Sequence, residues 1–452
     1  MNANKKTDHA EEVKRLLERK NEPALTGLLE ELHAADIGRV LGALEEADAI
    51  ELFKYLSPEL ASEVLLEVDE RLRKTLISHI SPEELTLVVD EMETDDAADI
   101  ISKLTLDEAK QILDGIGEKD AQAVQRLLVY PEDTAGGKMQ AELVSIVEGS
   151  TVQETIEEIR RKSKDIENIT HVFVTDSAGV LTGVVSLNRL ILSSPDTRIK
   201  DISEAEPVKV TTDLDQEEVA KIFQKFDLVA IPVVDKNGRL VGRITIDDVV
   251  DVVEEEIFED FYKMAGLNVE ERVLDGPVRS IWMRLPWLLV NLGTAFLAAS
   301  VVKAFQGTIE KLIILAVLMP IVAGMGGNAA TQTITVGVRG MALGELSMKN
   351  AKWVVLKEAL VGLANGFITG IAAAGIAYFF GANVMIGLLL FIGMTANLLV
   401  AGLSGALIPL ALKWLKYDPA ISSSIFVTTC TDIGGFFTFL GLAAVFLRMG
   451  IL

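Results

Sequence analysis

The sequence predicts a multi-domain protein. Its parts are an α-helical solenoid N-domain, an α+β tandem pair of related units, a connecting acidic helix and an all-α five-helix transmembrane domain. Three observations predict this. Residues 277–452 carry 11 Lys and Arg against 5 Asp and Glu, whereas residues 1–276 carry 31 against 61, so an acidic polar half precedes an apolar one. Two motifs repeat, one every 24 residues near the N-terminus and one after 59 residues in the middle. Five apolar stretches of spanning length close the chain. The expected boundaries are 1–130 for the solenoid, 138–200 and 201–246 for the paired units, 247–275 for the connecting helix and linker, and 276–452 for the membrane domain.

In the solenoid, Leu32-His33-Ala34-Ala35, Leu56-Ser57-Pro58-Glu59, Ile80-Ser81-Pro82-Glu83 and Leu104-Thr105-Leu106-Asp107 recur in register. Ser or Thr suits an N-cap, and Pro suits the first helical position because its missing N–H has no partner there anyway. Apolar residues at helical spacing follow, as in Val64, Leu65, Val68 and Leu72, and such units bury their faces only by stacking. The N-terminus lacks the apolar core of a signal peptide, so this half is expected in the cytoplasm. So acidic a surface is not expected to bind nucleic acid. The lone Cys430 excludes an internal disulfide, and His9, His33, His79 and His171 form no zinc pattern.

At Tyr130–Met139 the helical pattern breaks. Gly136-Gly137-Lys138 lacks the full phosphate-loop spacing, which argues against an ATPase. Beyond it, Asp176, Gly179, Leu181, Gly183 and Ser186 recur as Asp235, Gly238, Leu240, Gly242 and Thr245. Each unit reads helix (152–161; 217–226), strand (171–175; 230–234), turn, strand and helix, with an Asp-x-x-Gly hairpin signal. The pair resembles tandem cystathionine-β-synthase (CBS) domains, which commonly bind adenine nucleotides. The second unit holds an approximate ribose-binding pattern in Gly242, Thr245 and Asp248. The first has Asn188 and Arg189 after Ser186 and lacks the acid. ATP at Thr245 and Asp248 and a purely structural CBS pair therefore both stand open.

The second unit runs into a helix with eight acids between Asp247 and Asp260, with Val249, Val250, Val253, Ile257 and Phe261 as its expected apolar stripe. Like charges four residues apart each cost a few tenths of a kcal/mol unless cations screen them. Either this is a solvated acidic face or it senses a divalent cation. Matching acids lie in the solenoid at Asp90, Glu91, Glu93, Asp95, Asp96 and Asp99. If the two surfaces face one another, Mg²⁺ or Ca²⁺ would relieve their repulsion and set the domain spacing.

The spans fall at about 281–304, 312–338, 353–380, 384–412 and 421–447. Eight Lys and Arg flank them on one side and Lys303, Lys311 and Arg448 on the other, which predicts N-terminus inside and C-terminus outside. The fifth span carries Asp432, ~17 Å along the helix from Ile421 and near mid-bilayer. A carboxylate there costs roughly 2.5–3.5 kcal/mol, so it faces water, a cation or a partner helix. Ser422, Ser423, Ser424, Thr428, Thr429 and Thr431 surround it with hydroxyls. In the second span, Pro320 and the glycines to Gly327 are expected to loosen the helix and free carbonyls, beside Asn328, Thr331 and Gln332. For these amides, and for Asn365 and Asn397, interhelical hydrogen bonding is the competing reading.

Together these features resemble the MgtE family of magnesium transporters and channels: helical N-domain, Tyr-Pro-Glu-Asp-Thr-Ala-Gly-Gly join, CBS pair, acidic helix, five spans, Gly-Gly-Asn in span two and Asp432 in span five. The resemblance implies a homodimer in the cell membrane that conducts Mg²⁺ and closes when cytoplasmic Mg²⁺ is high, with no enzymatic activity. It places the pore acid at Asp432, a loop acid at Asp418 and pore-lining groups at Asn328, Gln332, Ser424 and Thr428. It implies regulatory Mg²⁺ ligands at Glu63, Asp95, Asp99, Gly137, Asp215, Glu217, Asp227, Asp248, Asp251, Glu256, Glu259 and Asp260. Thr331 stands where many relatives have a second Asn, and Ser424 where an amide is an option. Both keep an oxygen with shorter reach, which bears on discrimination among Mg²⁺, Mn²⁺ and Co²⁺.

The expected mechanism pairs two Asp432 carboxylates around a largely hydrated Mg²⁺, driven by roughly 4.6 kcal/mol per 100 mV for a divalent ion. Rival readings are a carrier exchanging Mg²⁺ for Na⁺ or H⁺ and a membrane-tethered nucleotide sensor. An intramembrane aspartyl protease would need a second deep acid.

Overall fold

The motif that recurs every 24 residues marks alternate helix starts. A computed structural model describes residues 3–163, 166, 168–421 and 423–452, without the side chains of 3–8 and 423, so Ser422 and the Ser423 hydroxyl lie outside the described residues. Ten helices come first: α1 (Ala3–Glu18), α2 (Glu22–Glu31), α3 (Ala34–Ala43), α4 (Glu46–Phe53), α5 (Pro58–Glu67), α6 (Glu70–His79), α7 (Pro82–Asp90), α8 (Thr94–Ser102), α9 (Leu106–Gly115) and α10 (Glu118–Leu127). His33, Ser57, Ser81 and Thr105 cap α3, α5, α7 and α9, each accepting a backbone N–H of the first turn. Ser81 and Thr105 complete capping boxes with Glu84 and Glu108. Each motif thus opens a helix pair. The odd-numbered helices from α3 to α9 stack in succession, while α4 packs on α6 and α8 on α10. Leu41, Leu52, Leu65, Ile101 and Ile112 line the buried faces.

The first α+β unit contains β1 (Ser145–Val147), α11 (Val152–Lys162), β2 (His171–Thr175), β3 (Leu181–Ser186), α12 (Leu187–Ile191), α13 (Ile199–Ile202) and β4 (Glu204–Ala205). The second contains β5 (Val210–Thr211), α14 (Gln216–Phe226), β6 (Ala230–Val234) and β7 (Leu240–Thr245). In each sheet a parallel pair (β1–β2; β5–β6) is followed by an antiparallel hairpin (β2–β3; β6–β7). Asp176 and Asp235 shape the hairpin turns by accepting two backbone N–H groups each. Gly179 (φ 81°) and Gly238 (φ 77°) supply the left-handed residue. The two turns pair with one another, Leu181 N–H donating to Gly238 O at 3.0 Å and Leu240 N–H to Gly179 O at 3.1 Å. β4 lies beyond the expected boundary at 200 yet completes the first sheet against β3. Gly183 permits it, since a Cβ there would meet Ser203 at 3.0 Å.

Helix α15 (Ile246–Met264) follows β7 directly. Its expected apolar stripe is corrected: Val249 and Val252 are the buried residues, while Val250, Val253, Ile257 and Phe261 are exposed. Val249 and Val252 join a core with Phe223, Ile231 and Ile244, so packing on the sheet selected a face three residues apart and left the other apolar residues out. The chain divides into two compact units, one ending at Val253 and one beginning at Glu254.

The second unit holds α16 (Pro277–Ala304), the short α17 (Gln306–Lys311), α18 (Ile314–Ala342), α19 (Ala351–Phe379), α20 (Val384–Trp414) and α21 (Ser423–Arg448). All but α17 are long and apolar enough to cross a membrane, and they match the five expected spans. α18 runs unbroken through Pro320 and the glycines, contrary to the expected loosening. The glycines serve packing instead: a Cβ on Gly326 would collide with the Asn397 amide, and one on Gly435 of α21 would lie 2.7 Å from its carbon. Asn397 is fully buried and donates to Val322 O at 2.8 Å, a carbonyl beside the Pro320 turn. α19 and α20 approach through Gly362, Gly366 and Gly402, where side chains would strike the opposite backbone.

Candidate cation sites

In the first unit the solenoid meets the second CBS unit at the N-terminus of α8. Glu93 is the N-cap residue of α8, and Asp95 and Asp96 are in its first turn. Carboxylate oxygens of Glu93, Asp95 and Asp96 all lie within 4.8 Å of one another, a spacing that suits a hard cation keeping some of its waters. Asp248, at the start of α15, reaches the same place: Gln140 Nε2 donates to Glu93 Oε2 at 2.7 Å and to Asp248 Oδ2 at 3.2 Å. Thr94 Oγ1 ties the region to the loop before the first CBS unit, accepting from Ala141 N–H at 2.9 Å and donating to Glu142 at 2.7 Å.

Burial and mutual repulsion raise every acid in this group. Glu93 is pushed up to about 7 by burial and the charge of Asp248, against the pull of Arg243. Asp96 is pushed up to about 7 by burial, Asp248 and Asp99, with Arg73 opposing. Asp248 rises to about 6 through burial despite its hydrogen bond from Thr245. Asp95 is held well above the usual carboxylate range by burial, then Asp96, Asp248 and Glu93. Its Oδ1 is buried with no hydrogen-bond partner. An orphaned carboxylate oxygen among four acids fits a divalent cation with oxygen ligands.

Of the sequence-derived ligands, Asp95, Asp99, Asp248 and Asp251 belong to this neighbourhood, since Asp99 and Asp251 both act on Asp96. Glu63 is exposed on α5, outside the Glu93–Asp95–Asp96 group. Asp215 caps α14 by accepting the Glu217 N–H at 2.9 Å, Glu217 pairs with Lys221 at 3.0 Å, and Asp227 sits past the far end of α14 in the left-handed conformation. At ~1.5 Å per residue Asp215 and Asp227 are on the order of 18 Å apart, so one chain does not bring them to one ion. Gly137 lies in the join, where a Cβ would collide with Pro131 O. Thr245 and Asp248, the suggested nucleotide pair, bond to each other at 2.7 Å, and Asp248 faces the acids. Glu93 and Asp96 are among the solenoid acids expected to face α15, whereas nothing local in the sequence marks Gln140.

In the second unit, Asp418 and Glu259 are bridged by Lys263, which no sequence motif marks. Lys263 Nζ donates to Asp418 Oδ2 at 2.6 Å and also pairs with Glu259. Burial works against its charge, yet the bonds to Asp418 and Glu259 outweigh it and hold the ammonium well above the ordinary lysine value. Ser424 Oγ donates to Met264 O, so two bonds fasten the end of α15 to the start of α21 and the loop before it. Ser424 is thus a strap here. Glu256 and Asp260 are partly buried on the same helix.

Asp432 is half-buried on α21, and no side chain among the described residues forms a hydrogen bond or ion pair with it. Thr428 lies one turn before it, facing Gly327 of α18 at van der Waals distance, 4.0 Å from an ideal Cβ. Asn328 and Gln332 are exposed on α18. Glu358 is a second membrane-segment acid that the spans as read left unremarked. It is buried two turns into α19, accepting from Lys357 at 2.8 Å and from Thr333 at 3.3 Å. Unlike Asp432, it is already paired.

Three family descriptions match the chain: the MgtE intracellular N domain over residues 32–133, the CBS domain over 135–195 and 199–255, and the MgtE divalent cation transporter over 319–442. The magnesium transporter MgtE of Thermus thermophilus is 37% identical over 330 residues, 72% of either chain. The magnesium transporter MgtE of Enterococcus faecalis is 34% identical over 330 residues, 73% of either chain. A crystal structure of the soluble part of a magnesium transporter is similar at 29% identity and a TM-score of 0.51, covering 56% of this chain and 99% of that one. The cytosolic domain of the Mg²⁺ channel MgtE in complex with ATP is similar at 34% identity and a TM-score of 0.52, covering 54% and 99%. The chain belongs to the MgtE family of magnesium transporters.

Proposed function

We propose that the chain is a Mg²⁺ channel that admits the ion down the membrane potential and is closed by cytoplasmic Mg²⁺ bound at its acidic sites. The observation that carries the pore is Asp432: a carboxylate inside a spanning helix with no counter-charge paired to it among the described residues. Such a charge needs a guest cation or a second copy across an axis. A homodimer with two Asp432 side chains around a hydrated Mg²⁺ meets that need, with Thr428, Asn328 and Gln332 offering oxygens to its waters. Binding has to be firm enough to attract the ion and weak enough to release it. The excess of Lys and Arg at the ends expected inside supports a cytoplasmic acidic half and an outside C-terminus.

Closure rests on the Glu93, Asp95, Asp96 and Asp248 group. Cytoplasmic Mg²⁺ bridges solenoid and CBS unit there, and removing it sets the acids repelling one another. Asp99 extends the acidic surface on α8, and Asp251, Glu256, Glu259 and Asp260 extend it along α15. The CBS pair as an ATP site is a second reading, supported by the similar cytosolic domain solved with ATP. Calorimetry of the full chain with ATP tests it, and absence of heat discards it.

Asp432→Ala tests the pore. In a host strain lacking other Mg²⁺ uptake, the wild-type chain should restore growth at low Mg²⁺ and the variant should not. Full rescue by a variant present at normal level in the membrane would refute the assignment.

A further inference from the structure

Gln140 is 1% exposed and lies in the short segment that leads into the first CBS unit. Its backbone is pinned to β7: its N–H donates to Arg243 O at 2.7 Å and its carbonyl accepts from Arg243 N–H at 2.9 Å. The next residue is pinned to the solenoid, Ala141 N–H donating to Thr94 Oγ1. With main chain fixed on both sides, the carboxamide keeps freedom mainly about its last torsion, which is broad and roughly two-fold for this residue type. Its Nε2 touches Glu93 and Asp248, carboxylates from two different domains. Ionised carboxylates only accept, and it is the NH₂ edge that faces them. The other edge, Oε1, is buried and has no hydrogen-bond partner. The amide is therefore satisfied at one end and orphaned at the other, and Asp95 Oδ1, in the same acid group as Glu93, is likewise buried without a partner.

We propose that Gln140 is a neutral oxygen ligand of the inter-domain divalent cation, presented by a half-turn of its amide when the ion arrives. A cation between Glu93 and Asp248 repels the NH₂ edge and attracts a carbonyl oxygen. Rotation of ~180° about the last torsion brings Oε1 to the place Nε2 holds, without moving the backbone. With its NH₂ edge turned to them, the amide bridges the two carboxylates and holds them together. The ion then gains an uncharged ligand in addition to the acids, a common composition for Mg²⁺ and Ca²⁺ sites. This inference rests on the reading that a divalent cation binds at this acid group.

The test uses the full-length protein in detergent with Mg²⁺ alone as the probe, comparing wild type, Gln140→Glu and Gln140→Met by calorimetric affinity and unfolding temperature. All three are purified in Mg²⁺ and then dialysed free of it, so folding precedes the measurement. Gln140→Glu adds a charged oxygen ligand and should tighten Mg²⁺ roughly tenfold, while destabilising the cation-free form by repulsion. Gln140→Met removes the oxygen at nearly constant volume and should weaken Mg²⁺ roughly tenfold. The opposite signs are the signature of a ligand. A residue that merely straps the two domains would give equal weakening in both variants, and that result overturns the proposal, as does wild-type affinity in both. If the wild type itself shows no Mg²⁺ binding that Asp95→Asn diminishes, the acid group is not a cation site, and the role of Gln140 falls with it.

Discussion

Acidifying the protein from about pH 8 to about pH 6 should loosen Mg²⁺ at the inter-domain acids by about two orders of magnitude. Glu93 and Asp96 are each pushed up to about 7. A group with that value is ~90% ionised near pH 8 and ~10% near pH 6, so each that must lose its proton to bind metal weakens the apparent affinity about tenfold. The sign of the stability effect follows from the same shifts. Between about pH 4 and pH 7 the folded, cation-free chain binds more protons at these acids than the unfolded chain does. Its stability is therefore lost as pH rises through that window. Asp96, pushed up to about 7 by burial and then by Asp248 and Asp99, contributes to this loss in the same direction as Glu93. Bound Mg²⁺ replaces those protons and should remove the loss. Unfolding temperatures of the full chain, measured across this range with and without Mg²⁺, check both statements. A Mg²⁺ midpoint that ignores pH, or a cation-free protein that grows more stable from pH 5 to pH 8, would refute the reasoning.

Other perturbations act on packing and on the α15–α21 fastening. Gly326→Ala drives a methyl into the Asn397 amide, which is fully buried and held by Val322 O, and should cost about 1–3 kcal/mol of stability; adding Asn397→Ala should return part of it in a thermal melt, and additive losses would count against a shared contact. Lys263→Met leaves Glu259 and Asp418 facing one another without their ammonium. It should destabilise the cation-free protein by about 1–3 kcal/mol and enlarge its stabilisation by Mg²⁺, whereas Lys263→Arg should resemble wild type. An unchanged Mg²⁺ response in Lys263→Met would show that the ammonium does not stand where a cation competes.

What the chain revealed in advance was local. The caps at Ser57, Ser81 and Thr105 and the turns at Asp176 and Asp235 depend on residues within four positions, so each could be read in place, whereas the His33 cap carries no such residue type. The spans were legible because hydrocarbon thickness fixes their length. The sites were legible only as types of residue. Acids in the solenoid and on α15 were visible, but Gln140 is 108 positions from Asp248, and no local pattern announces that contact. Lys263 was hidden for a related reason, since its partner Asp418 is 155 positions away. Glu358 is masked in the sequence by Lys357 beside it, since a charge pair near the end of a span reads as a flank. The stripe on α15 was misread because valines recur on both faces, and only the sheet beneath decides which are covered. The glycines of α18 were misread because a helix that needs close neighbours and a helix that breaks use the same residue.

The most direct measurement is Mg²⁺ flux into liposomes holding the purified full-length chain, under an inside-negative potential and with Asp432→Asn as the comparison. Uptake should follow the potential without a Na⁺ or pH gradient, fall when Mg²⁺ is loaded on the side of the acidic half, and be lost in Asp432→Asn. Equal flux in the variant, or flux that requires a Na⁺ or proton gradient, would contradict the proposed function.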